Sequence, residues 1–207
     1  TSGVAGTLTA LFSAGADEPL SMSLSSTTSG LPTLWSKGEA VLYSVNGAGD
    51  TLTAYVETVG PAGLNAGDRV VFTLTVNGDG SWAFDLRDQL DHVAGGGENT
   101  ALRTAANGST SVSSIDFSSI LVATDFDGDA VTGATASKFT ITVEDDIPVA
   151  KSAPTAVTGM VEEDGMSLST GDLSEGNKAP SGDSNADDET SGVAGTLTAL
   201  FSAGADE

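Results

Sequence analysis

Residues 1–18 of this chain, TSGVAGTLTALFSAGADE, recur unchanged as residues 190–207, an offset of 190 − 1 = 189 residues. An identity of that length is far beyond chance. The chain therefore reads as one period of a tandem array followed by the start of the next. Whatever folds within the period must be able to follow a copy of itself, as the units of repeat arrays do.

Within the period the pattern is that of short strands. Alternating apolar and polar residues, bounded by Gly, Asn, Asp and Ser, predict strands at Gly6–Phe12, Leu20–Ser25, Ala40–Val45, Thr51–Val59, Arg69–Val76 and Ser81–Arg87. Later strands are predicted at Ser111–Phe117, Ile120–Thr124 and Lys138–Asp145. The NGDG step at Asn77–Gly80 is a strong hairpin signal. Trp35, Trp82, Phe72 and Phe84 fall at core positions of the alternation. One stretch departs from it. In Asp85–Thr100, Leu86, Leu90 and Val93 sit at helical spacing ahead of a triple glycine, which predicts a single short helical turn. The expected fold is all-β: an antiparallel β-sandwich of Ig-like or Greek-key type with one short helical turn.

The texture changes after VEDDIP (Val143–Pro148). Residues 1–146 are expected to form most of one sandwich repeat, 147–160 an inter-repeat linker, and 161–207 the acidic start of the next repeat. On this reading residues 149–189 are the opening part of the next repeat, and they could fold back, stay extended, or exchange strands with a neighbour.

Asp and Glu total 29 against 7 Lys and Arg, for a net charge of −22. Such a chain lacks the basic footprint that nucleic acid demands. No apolar run approaches the roughly 20 residues of a membrane span, so direct membrane insertion is not expected. The chain has no cysteine, so neither disulfides nor thiolate metal sites contribute.

The carboxylates cluster. DFDGD places Asp125, Asp127 and Asp129 at alternate positions, where a turn can converge them on a hard, oxygen-preferring cation such as calcium. The loop is not an EF-hand: Gly128 stands fourth rather than sixth, and Ala136 replaces the bidentate Glu. Asp145 and Asp146 end a strand before Pro148, and Glu162, Glu163 and Asp164 follow across the linker, so shared cations could stiffen that joint. Asp187 and Asp188 lie in a third acidic cluster, the least specific. The bland account of all three is a solvated acidic surface. His92 is the sole histidine, with Asp88 and Asp91 near in sequence as orienting acids for general-base work, but a structural hydrogen-bonding role is the better account. A sugar-stacking role for Trp35 is weighed below core burial. Thr-x-Thr pairs such as Thr7/Thr9 and Thr73/Thr75 lack the fixed short period of an ice-binding face.

Taken in order, VVFTLTVNGDGSWAFDLRDQLDH, GGGENT, ATDFDGDAV and FTITVEDDIP resemble a repeat of the giant, type I-secreted, RTX-type adhesins of Gram-negative bacteria, over roughly residues 40–148. Residues 149–189 resemble the acidic lead-in of such repeats. The resemblance implies a secreted, cell-surface-associated, calcium-binding extender module serving cell adhesion and biofilm formation, with neighbouring repeats as its partners and the fragment itself monomeric. It matches Asp125, Asp127 and Asp129 to the acidic loop, and Asp145 and Asp146 to the junction. The glycine-rich nonapeptides of the RTX secretion region are not in this sequence. A carbohydrate- or peptide-binding adhesive module is the alternative function; an enzyme is not expected.

Overall fold

The computed structural model describes residues 2–95, 97–160 and 194–202, and the chain divides into two units, Thr1–Asp146 and Ile147–Glu207. The architecture is all-β with antiparallel sheets, and among the described residues no helix reaches seven residues. The first unit opens with β1 (Gly3–Thr7) and β2 (Ser21–Leu24), then a two-residue pair, β3 (Trp35–Ser36) and β4 (Glu39–Ala40). A meander follows: β5 (Leu42–Val45), β6 (Thr51–Val56), β7 (Arg69–Val76) and β8 (Ser81–Leu86). Shorter strands complete the unit: β9 (Leu102–Arg103), β10 (Ser111–Val112), β11 (Ile115–Asp116), β12 (Leu121–Thr124), β13 (Ala130–Thr132) and β14 (Thr140–Ile141).

The main sheet has the order β1-β8-β7-β6-β5. A second sheet, β13-β12-β2, brings an early strand beside a late one, and β11 pairs with β14. Alternation decides what each strand buries. Leu52 and Ala54 of β6, Phe72 and Leu74 of β7 and Phe84 of β8 join one buried core with Met22 and Leu24 of β2 and Leu121 and Ala123 of β12. Phe117, fully buried, sits at the centre of this core. Its ring centroid lies 6.1 Å from Phe72, 6.2 Å from Phe84 and 5.7 Å from Phe139. At the rim, Gly6 pairs with Trp82 across β1 and β8, and a Cβ there would stand 2.9 Å from the indole Nε1. The absent side chain lets Trp82 lie across β1 and meet Phe139 edge-on at 4.9 Å.

The helical turn predicted within Asp85–Thr100 is not formed. Its backbone N–H groups are claimed by distant partners: Arg87 and Asp88 donate to the Val71 carbonyl, Asp91 to that of Trp35, and Val93 to that of Ala101. His92 bridges to Leu102. The doubly accepting Val71 carbonyl is itself the product of a bulge, where Ala54 pairs with Phe72 and Tyr55 with Val70, leaving Val71 unopposed. Leu90 is buried at 3% exposure, but from an irregular strand extension rather than a helix face. Among the described residues the helical turns are instead two short 3₁₀ turns, Thr9–Leu11 and Ser118–Ile120.

Four strands also differ in extent, the simplest case being Thr51–Val59, which ends at Val56. The first runs Gly3–Thr7 rather than Gly6–Phe12, because Leu8 donates to the Gly80 carbonyl and Leu11 folds back onto that of Leu8. Ser111–Phe117 is broken into β10 and β11. Within Lys138–Asp145 only Thr140–Ile141 pairs as a strand.

In the second unit, β15 (Val149–Ala150) pairs antiparallel with β16 (Phe201–Ser202), in the register Val149 to Ser202 and Ala150 to Phe201. Lys151 N–H extends the pair by donating to the Leu200 carbonyl at 3.0 Å.

Candidate metal centre

Strands β12 and β13 are joined by a five-residue loop, Asp125–Asp129, closed by the Thr124–Ala130 pair. The Asp125 carboxylate organises it: Oδ1 accepts the N–H of Gly128 at 3.2 Å and of Asp129 at 2.8 Å. Asp125 N–H in turn donates to the Asp129 carbonyl at 3.0 Å. Gly128 supplies φ of +102°, which a side chain would resist. Phe126 N–H donates to the Asp17 carbonyl, fixing the loop to the segment that follows β1.

This folding brings one carboxylate oxygen from each of Asp125, Asp127 and Asp129 within 4.8 Å of the others. Calcium binds oxygens at about 2.3–2.6 Å, so oxygens on opposite sides of one ion stand roughly that far apart. The donor set is all oxygen and triply anionic. It suits a hard cation, with waters or carbonyls completing the shell. Asp127 and Asp129 are exposed and Asp125 is half-buried, so the cluster opens to solvent.

The remaining sequence candidates fall elsewhere. Asp145 is held by its surroundings: Oδ2 accepts Asn99 Nδ2 at 3.0 Å, and Oδ1 lies 3.5 Å from His92 Nδ1. Its own N–H donates to the Asn99 carbonyl at 2.8 Å. Among the described residues, no third carboxylate or imidazole converges on Asp145 and Asp146 as the loop carboxylates do on one another. Glu162, Glu163, Asp164, Asp187 and Asp188 lie outside the described residues.

His92 is tied into the fold. Its side chain is 6% exposed, with Nε2 at 3.2 Å from the Val143 carbonyl and Asp145 beside Nδ1. Neither acid that the sequence placed beside it is its partner. Asp88 receives Lys37 at 2.9 Å and Arg69 at 2.7 Å, while Asp91 receives Arg103 and the N–H groups of Lys37 and Gly38. Trp35 is half-buried at the start of β3.

Two serines escaped sequence reasoning. Ser36, fully buried, donates to the Gln89 carbonyl and accepts from Arg69, while Ser118, equally buried, accepts the N–H groups of Lys138 and Phe139. Nothing in their local sequence distinguishes them from the many exposed serines. Burial opposes ionisation of Asp88 and of Asp116, yet both carboxyls are held below the usual range. Hydrogen bonds from Lys37, Arg69 and the Gln89 N–H outweigh burial at Asp88, and those from Ser118 and Ser137 do so at Asp116.

Comparison with family models, curated proteins and solved structures finds no match. No helix among the described residues is long and apolar enough to cross a membrane.

Proposed function

We propose that this chain is a structural extender: one period of a tandem array on a large, type I-secreted bacterial surface adhesin, projecting a distal binding region in cell adhesion and biofilm formation. The observation that carries the reading is the unchanged recurrence of residues 1–18 as 190–207. A unit followed by its own opening sequence suits a spacer, which needs length and stiffness more than a different pocket in each copy. The resemblance of residues 40–148 to adhesin repeats points the same way.

Calcium is the proposed stabiliser, held at Asp125, Asp127 and Asp129. Three carboxylates within 4.8 Å repel one another without a counter-ion, and an ion that binds the folded loop adds stability by mass action. Sites in extracellular modules commonly bind with Kd of about 10⁻⁴–10⁻³ M. Taking the tighter value, 10 mM calcium is ~100 Kd and stabilises by about 2.7 kcal/mol. For a unit of this size that is a rise in Tm of roughly 5–11 °C.

The test is a thermal melt of the whole chain in EDTA, in 10 mM calcium and in 10 mM magnesium. The expected result is a rise of that order in calcium and little in magnesium. An equal rise in both, or none, would reduce the loop to a solvated acidic turn and favour the adhesive-module alternative.

A further inference from the structure

The described part of the second copy, Ala194–Ser202, stands in a different structural setting from its counterpart, Ala5–Ser13, and the difference identifies a vacant strand position. The turns at Leu8–Leu11 and Leu197–Leu200 are closed in the same way. Leu11 N–H donates to the Leu8 carbonyl at 2.9 Å, and Leu200 N–H to the Leu197 carbonyl at 2.9 Å. The Thr7 and Thr9 hydroxyls meet at 3.2 Å, as do those of Thr196 and Thr198. Ahead of the turn the copies differ, since Ala5–Thr7 pair with β8 and Ala194–Thr196 belong to no strand, and they differ again in the partner of the two residues after it. Phe201 and Ser202 form a strand with Ala150 and Val149, whereas the identical Phe12 and Ser13 belong to no strand.

A cavity of about 320 Å³ lies beside Phe12 and Ser13. Phe12, Pro19, Leu20 and Met22 give it an apolar lining, and Glu18 and Asp79 give it acid. The segment that pairs with the second copy is Val-Ala-Lys, two apolar residues and a cation, which matches this lining. In the second unit Lys151 Nζ reaches the Thr198 carbonyl at 3.4 Å, and the equivalent of Thr198 is Thr9, which also lines the cavity beside Asp79. Val149 and Phe201 remain 55% and 54% exposed where they pair, while Phe12 already packs against the core of the first unit.

We propose that the Leu11–Ser13 edge of the first unit is an acceptor for residues Val149–Lys151 of a second copy of this chain, added as an antiparallel strand in the register seen at Phe201–Ser202. Strand addition of this kind draws affinity from main-chain hydrogen bonds and specificity from the side-chain pocket. The inference shares the sequence duplication with the extender reading but needs no calcium. It is tested in EDTA, so failure of the metal reading leaves it standing.

The register makes the test specific. Val149 opposes Ser202, so Val149 of one copy would oppose Ser13 of the other. The chain carries no cysteine of its own. Full-length Ser13→Cys and Val149→Cys chains, mixed under mild oxidation, are expected to give a disulfide-linked heterodimer. The comparison is Ser13→Cys mixed with Val157→Cys, an exposed position out of register. The matched pair is expected to exceed it by roughly tenfold, as pairing raises the effective concentration of the two thiols. Adding Ser202→Pro to the Val149→Cys chain disrupts the competing strand and is expected to raise the yield further. Equal yields from matched and mismatched pairs, or no heterodimer even with Ser202→Pro, would overturn the proposal.

Discussion

Leu8 and Leu197 are the same residue in the same eighteen-residue sequence, and the structure gives them opposite environments. Leu8 is 2% exposed and belongs to the core of the first unit, whereas Leu197 is 63% exposed. Truncation to alanine at each position is therefore a controlled experiment on tertiary context, with local sequence held constant. At Leu8 the change removes buried methyl groups and leaves a cavity, which costs about 2–5 kcal/mol. At Leu197 it removes atoms that water already reaches, and the expected effect is within about 0.5 kcal/mol. The first unit is reported selectively, because both tryptophans of the chain, Trp35 and Trp82, lie within it. Followed by tryptophan fluorescence, Leu8→Ala is expected to lower the Tm by roughly 6–15 °C, at about 3 °C per kcal/mol for a unit of this size. Leu197→Ala should leave the same transition in place. Equal shifts from the two substitutions, or a silent Leu8→Ala, would refute the assignment of Leu8 to the core.

The Asp125–Asp129 loop and the half-buried carboxylate of Asp88 give two further tests. In EDTA, Asp127→Asn should be neutral or slightly stabilising, since it relieves repulsion within the triad, while Asp125→Ala should cost about 1–2 kcal/mol by removing the acceptor of two backbone N–H groups. Both should abolish most of the calcium-induced rise in Tm, and retention of that rise in Asp127→Asn would move the ion elsewhere. Asp88 has a lower pKa folded than unfolded, so its contribution is present above the ordinary Asp value of about 3.9 and is lost as pH falls through the lower folded value. Relief of self-repulsion at a net charge of −22 acts in the opposite sense, and comparing wild type with Asp88→Asn at each pH largely cancels it. The stability gap between the two in urea should hold from pH 7 to 5 and narrow below about pH 4; a gap independent of pH would sink the argument.

The all-β class was legible because alternation is a direct record of which face of a strand is buried. Leu52 and Ala54, Leu121 and Ala123, and Met22 and Leu24 all obey it. The Asp125–Asp129 loop was legible because a five-residue hairpin turn converges alternate side chains with little help from the rest of the molecule. The helical turn was misread for the converse reason. The spacing of Leu86, Leu90 and Val93 is compatible with a helix, but the carbonyls of Val71, Trp35 and Ala101 take the N–H groups that a helix would use. Val71 and Trp35 are distant in sequence from their donors, and the bulge that presents Val71 leaves no local signature. The partner of His92 was missed likewise. Asp88 and Asp91 are nearer in the chain, yet Lys37, Arg69 and Arg103 hold them, and Asp145 arrives from the far end of the unit.

The distribution of work among the aspartates bears on why the loop stands apart from the other acidic turns. Asp68 is held below the usual carboxylate range first by the Thr58 N–H and then by those of Asn65 and Val59, and Asp79 by the hydroxyl and N–H of Ser81. Asp50 is held down by Thr51 and Asn46. In each case a single carboxylate closes a turn on donors within about ten residues, the common use of Asp between strands. Asp125 does the same for its own loop through Gly128 and Asp129. The turn is then already closed, and the carboxylates of Asp127 and Asp129 are not needed to close it, yet both converge on Asp125 at a cost in mutual repulsion. Under the calcium reading proposed above, a cation shared by the three carboxylates would offset that repulsion, whereas on the solvated-turn reading water alone screens it. Loss of calcium response in Asp127→Asn without loss of the metal-free fold would separate the two roles within a single five-residue loop.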